Sequence, residues 1–230
     1  MKKNILILTL LLPFIYSCSN DIDLSESYLD AKIMYVDGNT NRCVVKFVDE
    51  DPVIENVFGK SAGFIYNTAN LVKDENLEIG SLIKIKARKA KSSEIPAGTT
   101  LYASYNYPYI FITDYIVSTF DYNEEVEIPV TCSVISRDKK YVIRFDSVLT
   151  DSRCPEGVEC FWAGVAGVRL TVSDKASSQT FDLYTINNNL WSDSAAYKDM
   201  QIKLLGLIPY PSAYAKYSYK SYRATIKLIK

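Results

Sequence analysis

Apolar and polar residues alternate with a period of two along most of this chain. The clearest case is Leu82-Ile83-Lys84-Ile85-Lys86-Ala87-Arg88-Lys89, where Ile83, Ile85 and Ala87 fall between Leu82, Lys84, Lys86 and Arg88. Successive side chains of a β-strand point to opposite faces, so this spacing buries one face and wets the other. No apolar stripe with helical spacing runs much beyond about two turns. Helical bundles and doubly wound α/β folds need such stripes, so the chain is expected to be all-β. Its 18 Tyr and 9 Phe agree with that expectation, because aromatic rings suit a pleated, half-buried surface.

The strands group into two segments, 28–118 and 127–230. Between them lies the polar, acidic run Phe120-Asp121-Tyr122-Asn123-Glu124-Glu125. In the first segment, residues 31–36 and 43–48 flank Asp37-Gly38-Asn39-Thr40-Asn41, a hairpin signature. Asp49-Glu50-Asp51-Pro52 ends the second strand. Residues 66–70 suit a short helix or a turn. Glu78-Ile79-Gly80-Ser81 turns into the strand at 82–89, and 109–115 is the last strand. Such a set predicts an OB-like small barrel. In the second segment, strands are expected at 127–136, 141–149, 165–173, 180–186, 201–208 and 222–229. Spaced by turns, they predict an antiparallel β-sandwich.

The N-terminus has its own pattern. Lys2 and Lys3 precede an apolar stretch from Ile5 to Ile15, broken only by Thr9 and Pro13. It is shorter than the roughly 20 residues a membrane span needs. Ser17 then precedes Cys18. These residues resemble a bacterial lipoprotein signal. The resemblance implies removal of 1–17, lipidation of Cys18 and a solvated tether over 18–27. It also implies a lipid-anchored place in the cell envelope, at the outer membrane. Asp21, Asp23 and Glu26, close behind Cys18, resemble surface-export signals of some Gram-negative lipoproteins; a plain hydrophilic linker is the other reading. An ordinary secretory signal with an incidental Cys is the alternative for the whole segment.

The sharpest motif is Asp151-Ser152-Arg153-Cys154-Pro155-Glu156-Gly157-Val158-Glu159-Cys160-Phe161-Trp162-Ala163-Gly164. Cys154 and Cys160, five residues apart in an exported chain, are expected to form a local disulfide. Pro155 and Gly157 supply the turn. Phe161 and Trp162 are expected to cover the disulfide, and Asp151 and Arg153 to brace the loop. The small residues Ala163, Gly164, Ala166 and Gly167 imply close packing against that strand. Cys43 and Cys132, one in each segment, either pair with each other or act as small buried hydrophobes. The D-S-R-C-P-x-x-V-x-C-x-W-A-G pattern resembles a family of exported bacterial β-domains with no established activity. Leu205-Gly206-Leu207-Ile208-Pro209-Tyr210-Pro211 and Tyr222-Arg223-Ala224-Thr225-Ile226 look like its closing strands. The first segment, in the order and spacing of its elements, is similar to the N-terminal OB domain of NigD-like lipoproteins.

Composition narrows the function. The chain has no His, which removes Ser-His-Asp and Cys-His catalytic units and the commonest zinc ligand. With 26 Lys and Arg against 27 Asp and Glu, no basic excess points to nucleic acid. The Lys84, Lys86 and Arg88 face is expected to be a solvated surface that guards against aggregation. Asp151, Glu156 and Glu159 could offer oxygen ligands to calcium but form no EF-hand pattern, so no metal and no cofactor is expected. Redox work would want a C-x-x-C pair. Tyr102, Tyr105, Tyr107 and Tyr109 form one tyrosine cluster; Tyr210, Tyr214, Tyr217, Tyr219 and Tyr222 form another. A phenol offers a flat apolar face and a hydroxyl, which suits sugars and protein surfaces. The expected function is a non-enzymatic binding or scaffold module of the cell envelope, with a protein or glycan partner and Tyr102, Tyr105, Tyr107 and Tyr109 as its surface. The alternative is a small hydrolase or metal-dependent enzyme built on Asp and Glu, with Asp146 and Asp151 as its carboxylates.

Overall fold

The structure, a computed structural model, describes residues 24–38, 40–73, 77–97 and 106–230. Cys18 and the signal segment, like Tyr102 and Tyr105, lie outside the described residues. None of the described helices is long and apolar enough to cross a membrane.

The first five strands are β1 (Leu29–Val36), β2 (Arg42–Phe47), β3 (Ile65–Val72), β4 (Leu82–Lys89) and β5 (Tyr109–Val117). They close into a barrel in the order β1-β2-β3-β5-β4. β3 and β5 run parallel and the other neighbours antiparallel. Alternate residues fill the barrel, among them Ala31, Ile33, Val45, Phe47, Ile83, Ile85 and Ile112. The outward residues of β4 are answered by carboxylates: Lys84 by Asp30 at 3.3 Å, Lys86 by Glu26 at 3.9 Å, Arg88 by Glu94 at 2.7 Å. The polar face expected of this stripe is therefore a surface of ion pairs, which the alternation alone did not indicate.

The one α-helix among the described residues, α1 (Pro52–Phe58), lies between β2 and β3. It starts where the acidic turn was expected only to end a strand. Asp51 accepts a hydrogen bond from the Val53 N–H at 2.9 Å, and Pro52 occupies the first turn, where a missing N–H costs nothing. Ile54 and Phe58 are buried, and Phe58 stacks on Phe47 with ring centroids 5.5 Å apart. Residues 66–70 are neither helix nor turn but the middle of β3, with Tyr66 fully buried against both rings.

The remaining strands are β6 (Thr119–Phe120), β7 (Glu125–Pro129), β8 (Ser133–Ser136), β9 (Val142–Asp151), β10 (Ala166–Ser173), β11 (Ser178–Tyr184), β12 (Ser194–Tyr197), β13 (Met200–Ile208) and β14 (Arg223–Ile229). They form a five-stranded sheet, β11-β10-β9-β8-β6, and a four-stranded sheet, β12-β13-β14-β7. Both contribute to one core that includes Phe145, Val168, Leu170, Ile202, Leu204 and Ile226. All pairs are antiparallel except β6 with β8. The fold class is thus nearly all-β, a small OB-like barrel followed by a sandwich.

The expected strand at 127–136 is two strands in different sheets. Val130, Thr131 and Cys132 carry the chain across, with Thr131 at φ 67° and its N–H bonded to the Phe145 carbonyl at 2.6 Å. Ile128, Val130, Cys132 and Val134 are all buried, so alternate residues stay in the core through the crossing. The acidic run at 120–125 is bound into the sandwich. Phe120 is buried, Arg137 grips Asp121 at 2.8 and 2.5 Å, and the Asn123 N–H bonds the Leu228 carbonyl.

Barrel and sandwich touch directly. The Ser133 N–H bonds the Gly80 carbonyl at 3.0 Å. Arg223 of β14 reaches Asp30 at 3.1 Å and Asp49 at 2.9 Å, and Lys220 reaches Glu50 at 2.6 Å. Leu82 of β4 packs into the sandwich core. Cys43 is buried in the barrel and Cys132 in the sandwich core; no disulfide joins them.

Candidate functional site: a braced aromatic tip

The loop between β9 and β10 is held from three sides. Cys154 and Cys160 form the expected disulfide, with Cα atoms 5.8 Å apart. At its neck the Ser152 N–H bonds the Val165 carbonyl and the Cys154 N–H bonds the Ala163 carbonyl, each at 2.9 Å. Gly164 sits there at φ 70°, and a Cβ on it would lie 1.8 Å from the Ser152 carbonyl oxygen. Only glycine tolerates both the left-handed backbone and that approach. Laterally, the connection between β13 and β14 clamps the loop. The Glu156 N–H bonds the Pro211 carbonyl at 2.9 Å, and the Ala213 N–H bonds the Glu156 carbonyl at 3.0 Å. Gly157 lies under the Tyr214 ring, so close that a Cβ would come within 2.3 Å of it.

Beneath the loop sits a buried ion pair. The side chains of Arg153 and Asp151 are 8% and 7% exposed. Arg153 Nε and Nη2 donate to the two carboxylate oxygens of Asp151, each at 2.8 Å. Its remaining donors reach the Leu207 carbonyl at 2.5 Å and the Pro209 carbonyl at 3.0 Å, and its plane lies 4.6 Å from the Tyr210 ring centroid. Tyr222 donates its hydroxyl proton to Asp151 at 3.0 Å. Burial pushes the Asp151 carboxyl up. The Arg153 guanidinium and the Tyr222 hydroxyl outweigh it, and the carboxyl stays below its ordinary range. Asp151 and Arg153 thus brace the loop, as their place in the motif suggested. Tyr210 and Tyr222 belong to the brace as well.

Phe161 and Trp162 do not cover the disulfide. The chain turns both residues outward. Phe161 is 90% exposed, Trp162 76% and Tyr214 84%. The Phe161 and Trp162 rings meet edge to face at 4.9 Å. Val158 is exposed beside them. The result is an aromatic tip on a loop that is covalently closed, hydrogen-bonded at its neck and clamped at its side. Hydrophobic residues adjacent in sequence say nothing about which way a loop faces, so no sequence signal marked the tip.

The other expected site residues lie elsewhere. Tyr109 heads β5, and the Tyr107 carbonyl accepts from Asn67 Nδ2 at 2.8 Å, so both belong to the barrel and are half-buried. Asp146 is held by Arg144 at 2.5 Å and by the Thr171 hydroxyl at 2.7 Å, on an open dish that also holds the Arg169–Asp182 pair at 2.8 Å. Glu156 and Glu159 are exposed while Asp151 faces Arg153. Among the described residues, no group of three or more His, Cys, Asp or Glu is placed to hold a metal ion. Comparison with protein-family models, with curated proteins and with solved structures finds no match to this chain.

Proposed function

We propose that this protein is a non-enzymatic binding module of the cell envelope, tethered through a lipidated Cys18, that presents Phe161, Trp162 and Tyr214 to a protein or glycan partner. The observation that carries the reading is the exposure of these three rings, Phe161 and Trp162 on the disulfide-closed loop and Tyr214 on the connection that clamps it. Leaving a large apolar ring in water forgoes roughly 25 cal/mol for each Å² that burial would remove from solvent. A disulfide, a left-handed glycine and a buried ion pair maintain that exposure. Rigid aromatic side chains on a preorganised loop lose little entropy on association, and Trp and Tyr are enriched among residues that dominate binding. The resemblance of the disulfide motif to exported β-domains, and of the first segment to NigD-like lipoproteins, supports the same compartment. The hydrolase alternative gains nothing from Asp146 and Asp151, since each is paired with an arginine, as is Asp182 in the dish that Asp146 shares.

The test pairs envelope pull-down with a glycan array, using the 19–230 fragment and its Phe161→Ala/Trp162→Ala variant. The variant is expected to fold as the parent does and to lose at least tenfold in partner retention. Equal retention by both would remove the tip from the binding surface. Mass spectrometry of the mature N-terminus tests the tether: a lipidated Cys18 is expected, and an unmodified N-terminus elsewhere refutes it.

A further inference from the structure

A cleft of about 270 Å³ opens where the outer face of β1 and β2 meets the sheet-crossing segment of the sandwich and Tyr219. Met34, Val48 and Val130 supply apolar walls, and Lys32, Lys46 and Lys220 line it as well. The charges do not balance. Lys46 and Lys220 share one carboxylate, Glu50, at 3.2 and 2.6 Å. Lys32 has no carboxylate within 4 Å among the described residues, and its hydrogen bond goes to the Thr131 hydroxyl at 3.2 Å. The register of the barrel sets Lys32 directly opposite Lys46 on the neighbouring strand. Like charges at paired positions of an antiparallel ladder repel. Burial draws the Lys32 ammonium below its usual range; the Cys132 thiol beside it pulls the other way, and Lys46 and Arg144 push it down. A partly desolvated cation beside another cation on the wall of an apolar cleft is destabilising unless an anion enters between them.

We propose that this cleft binds an organic anion with an apolar body, a medium-chain carboxylate, whose head lies between Lys32 and Lys46 and whose chain lies along Met34, Val48 and Val130. The size fits. A water molecule's share of liquid volume is about 30 Å³, and a dry apolar cavity of about 150 Å³ holds a benzene ring. A cleft of about 270 Å³ therefore takes a body of about ten non-hydrogen atoms. Glu50, already between two ammonium groups, leaves the Lys32 side open to a second carboxylate. The Tyr219 hydroxyl accepts from the Val148 N–H at 3.1 Å and keeps its own proton for donation. This site is separate from the aromatic tip and stands whether or not the tip binds a partner.

The probe is octanoate, with octan-1-ol as the uncharged control, followed by calorimetric titration and by thermal unfolding of the purified protein. Octanoate is expected to bind at one site and at least tenfold more tightly than octanol. Lys32→Met is expected to weaken octanoate at least tenfold while unfolding, without ligand, at the same temperature as the parent or higher. That second readout separates a ligand-binding lysine from a structural one, whose loss would lower the unfolding temperature. Met34→Trp, which fills the cleft from its rim, is expected to abolish octanoate binding; Trp162→Ala is expected to preserve it. No binding to the parent, equal binding of octanoate and octanol, or full binding by Lys32→Met would each overturn the proposal.

Discussion

Replacing Arg153 with Met tests whether the aromatic tip stands on its buried ion pair. The substitution keeps most of the apolar stem and removes four donor contacts, two to Asp151 and one each to the Leu207 and Pro209 carbonyls. Asp151 is left buried, with the Tyr222 hydroxyl as its remaining side-chain donor. Taking one partner from a buried, hydrogen-bonded charge pair costs about 3–5 kcal/mol, because the other charge stays desolvated. In a chain of this size each kcal/mol moves the unfolding midpoint by about 2–4 °C, so a fall of roughly 6–20 °C is expected. Thermal unfolding followed by circular dichroism measures it. The double variant Asp151→Asn/Arg153→Met is expected to recover at least about 1 kcal/mol relative to Arg153→Met alone, since it no longer buries an unpaired charge. The pH dependence has a definite sign. The Asp151 carboxyl is held below its ordinary range in the folded protein, so the pair's contribution is complete above about pH 4 and fades as pH falls through the lower folded value. The gap between parent and Arg153→Met should therefore be widest near neutral pH and narrow in acid. A loss under about 1 kcal/mol, or a double variant equal to the sum of the singles, would refute the ion pair as the loop's support.

Three further outcomes follow from the same geometry. Cys154→Ser/Cys160→Ser opens a small ring, for which the loop-entropy relation gives a loss of about 2 kcal/mol in urea unfolding; an unchanged midpoint would mean that the hydrogen-bonded neck and clamp hold the loop alone. Gly164→Ala drives a Cβ into the Ser152 carbonyl and is expected to cost about 2–4 kcal/mol, whereas Gly157→Ala meets only the exposed Tyr214 ring, which can swing aside, and should cost clearly less; the opposite order of urea midpoints would contradict the neck geometry. Arg223→Met breaks the contacts to Asp30 and Asp49 that tie β14 to the barrel, with an expected loss of about 1–2 kcal/mol that shrinks in high salt, and no salt dependence would indicate that packing alone carries that junction.

Much of the fold was legible because β-structure writes itself locally. The two-residue period located β1, β2, β4 and β5 of the barrel and β9, β10, β11, β13 and β14 of the sandwich to within a few residues. Where local signals were weak or shared, the reading went astray. Ser194–Tyr197 carries one fully buried side chain and little pattern, so β12 had no signature. Asp51 and Pro52 end a strand and begin a helix with the same residues, and burial of Ile54 and Phe58 decided for the helix.

The sequence by itself determined the strand-rich class, the division into two β-rich segments and the Cys154–Cys160 ring. Alternation, turn residues and a short spacing between thiols act over a few residues, and their consequences need no distant partner. Tertiary structure alone decided three things. It set the switch of sheets at Val130, Thr131 and Cys132, because alternate residues stay in the core while the chain crosses it. It turned Phe161 and Trp162 outward, on a loop whose side is clamped through Glu156 by Pro211 and Ala213, more than fifty residues further along the chain. It also brought Lys220 of the sandwich beside Lys32 and Lys46 of the first hairpin, because packing brings together charges that lie far apart in the chain.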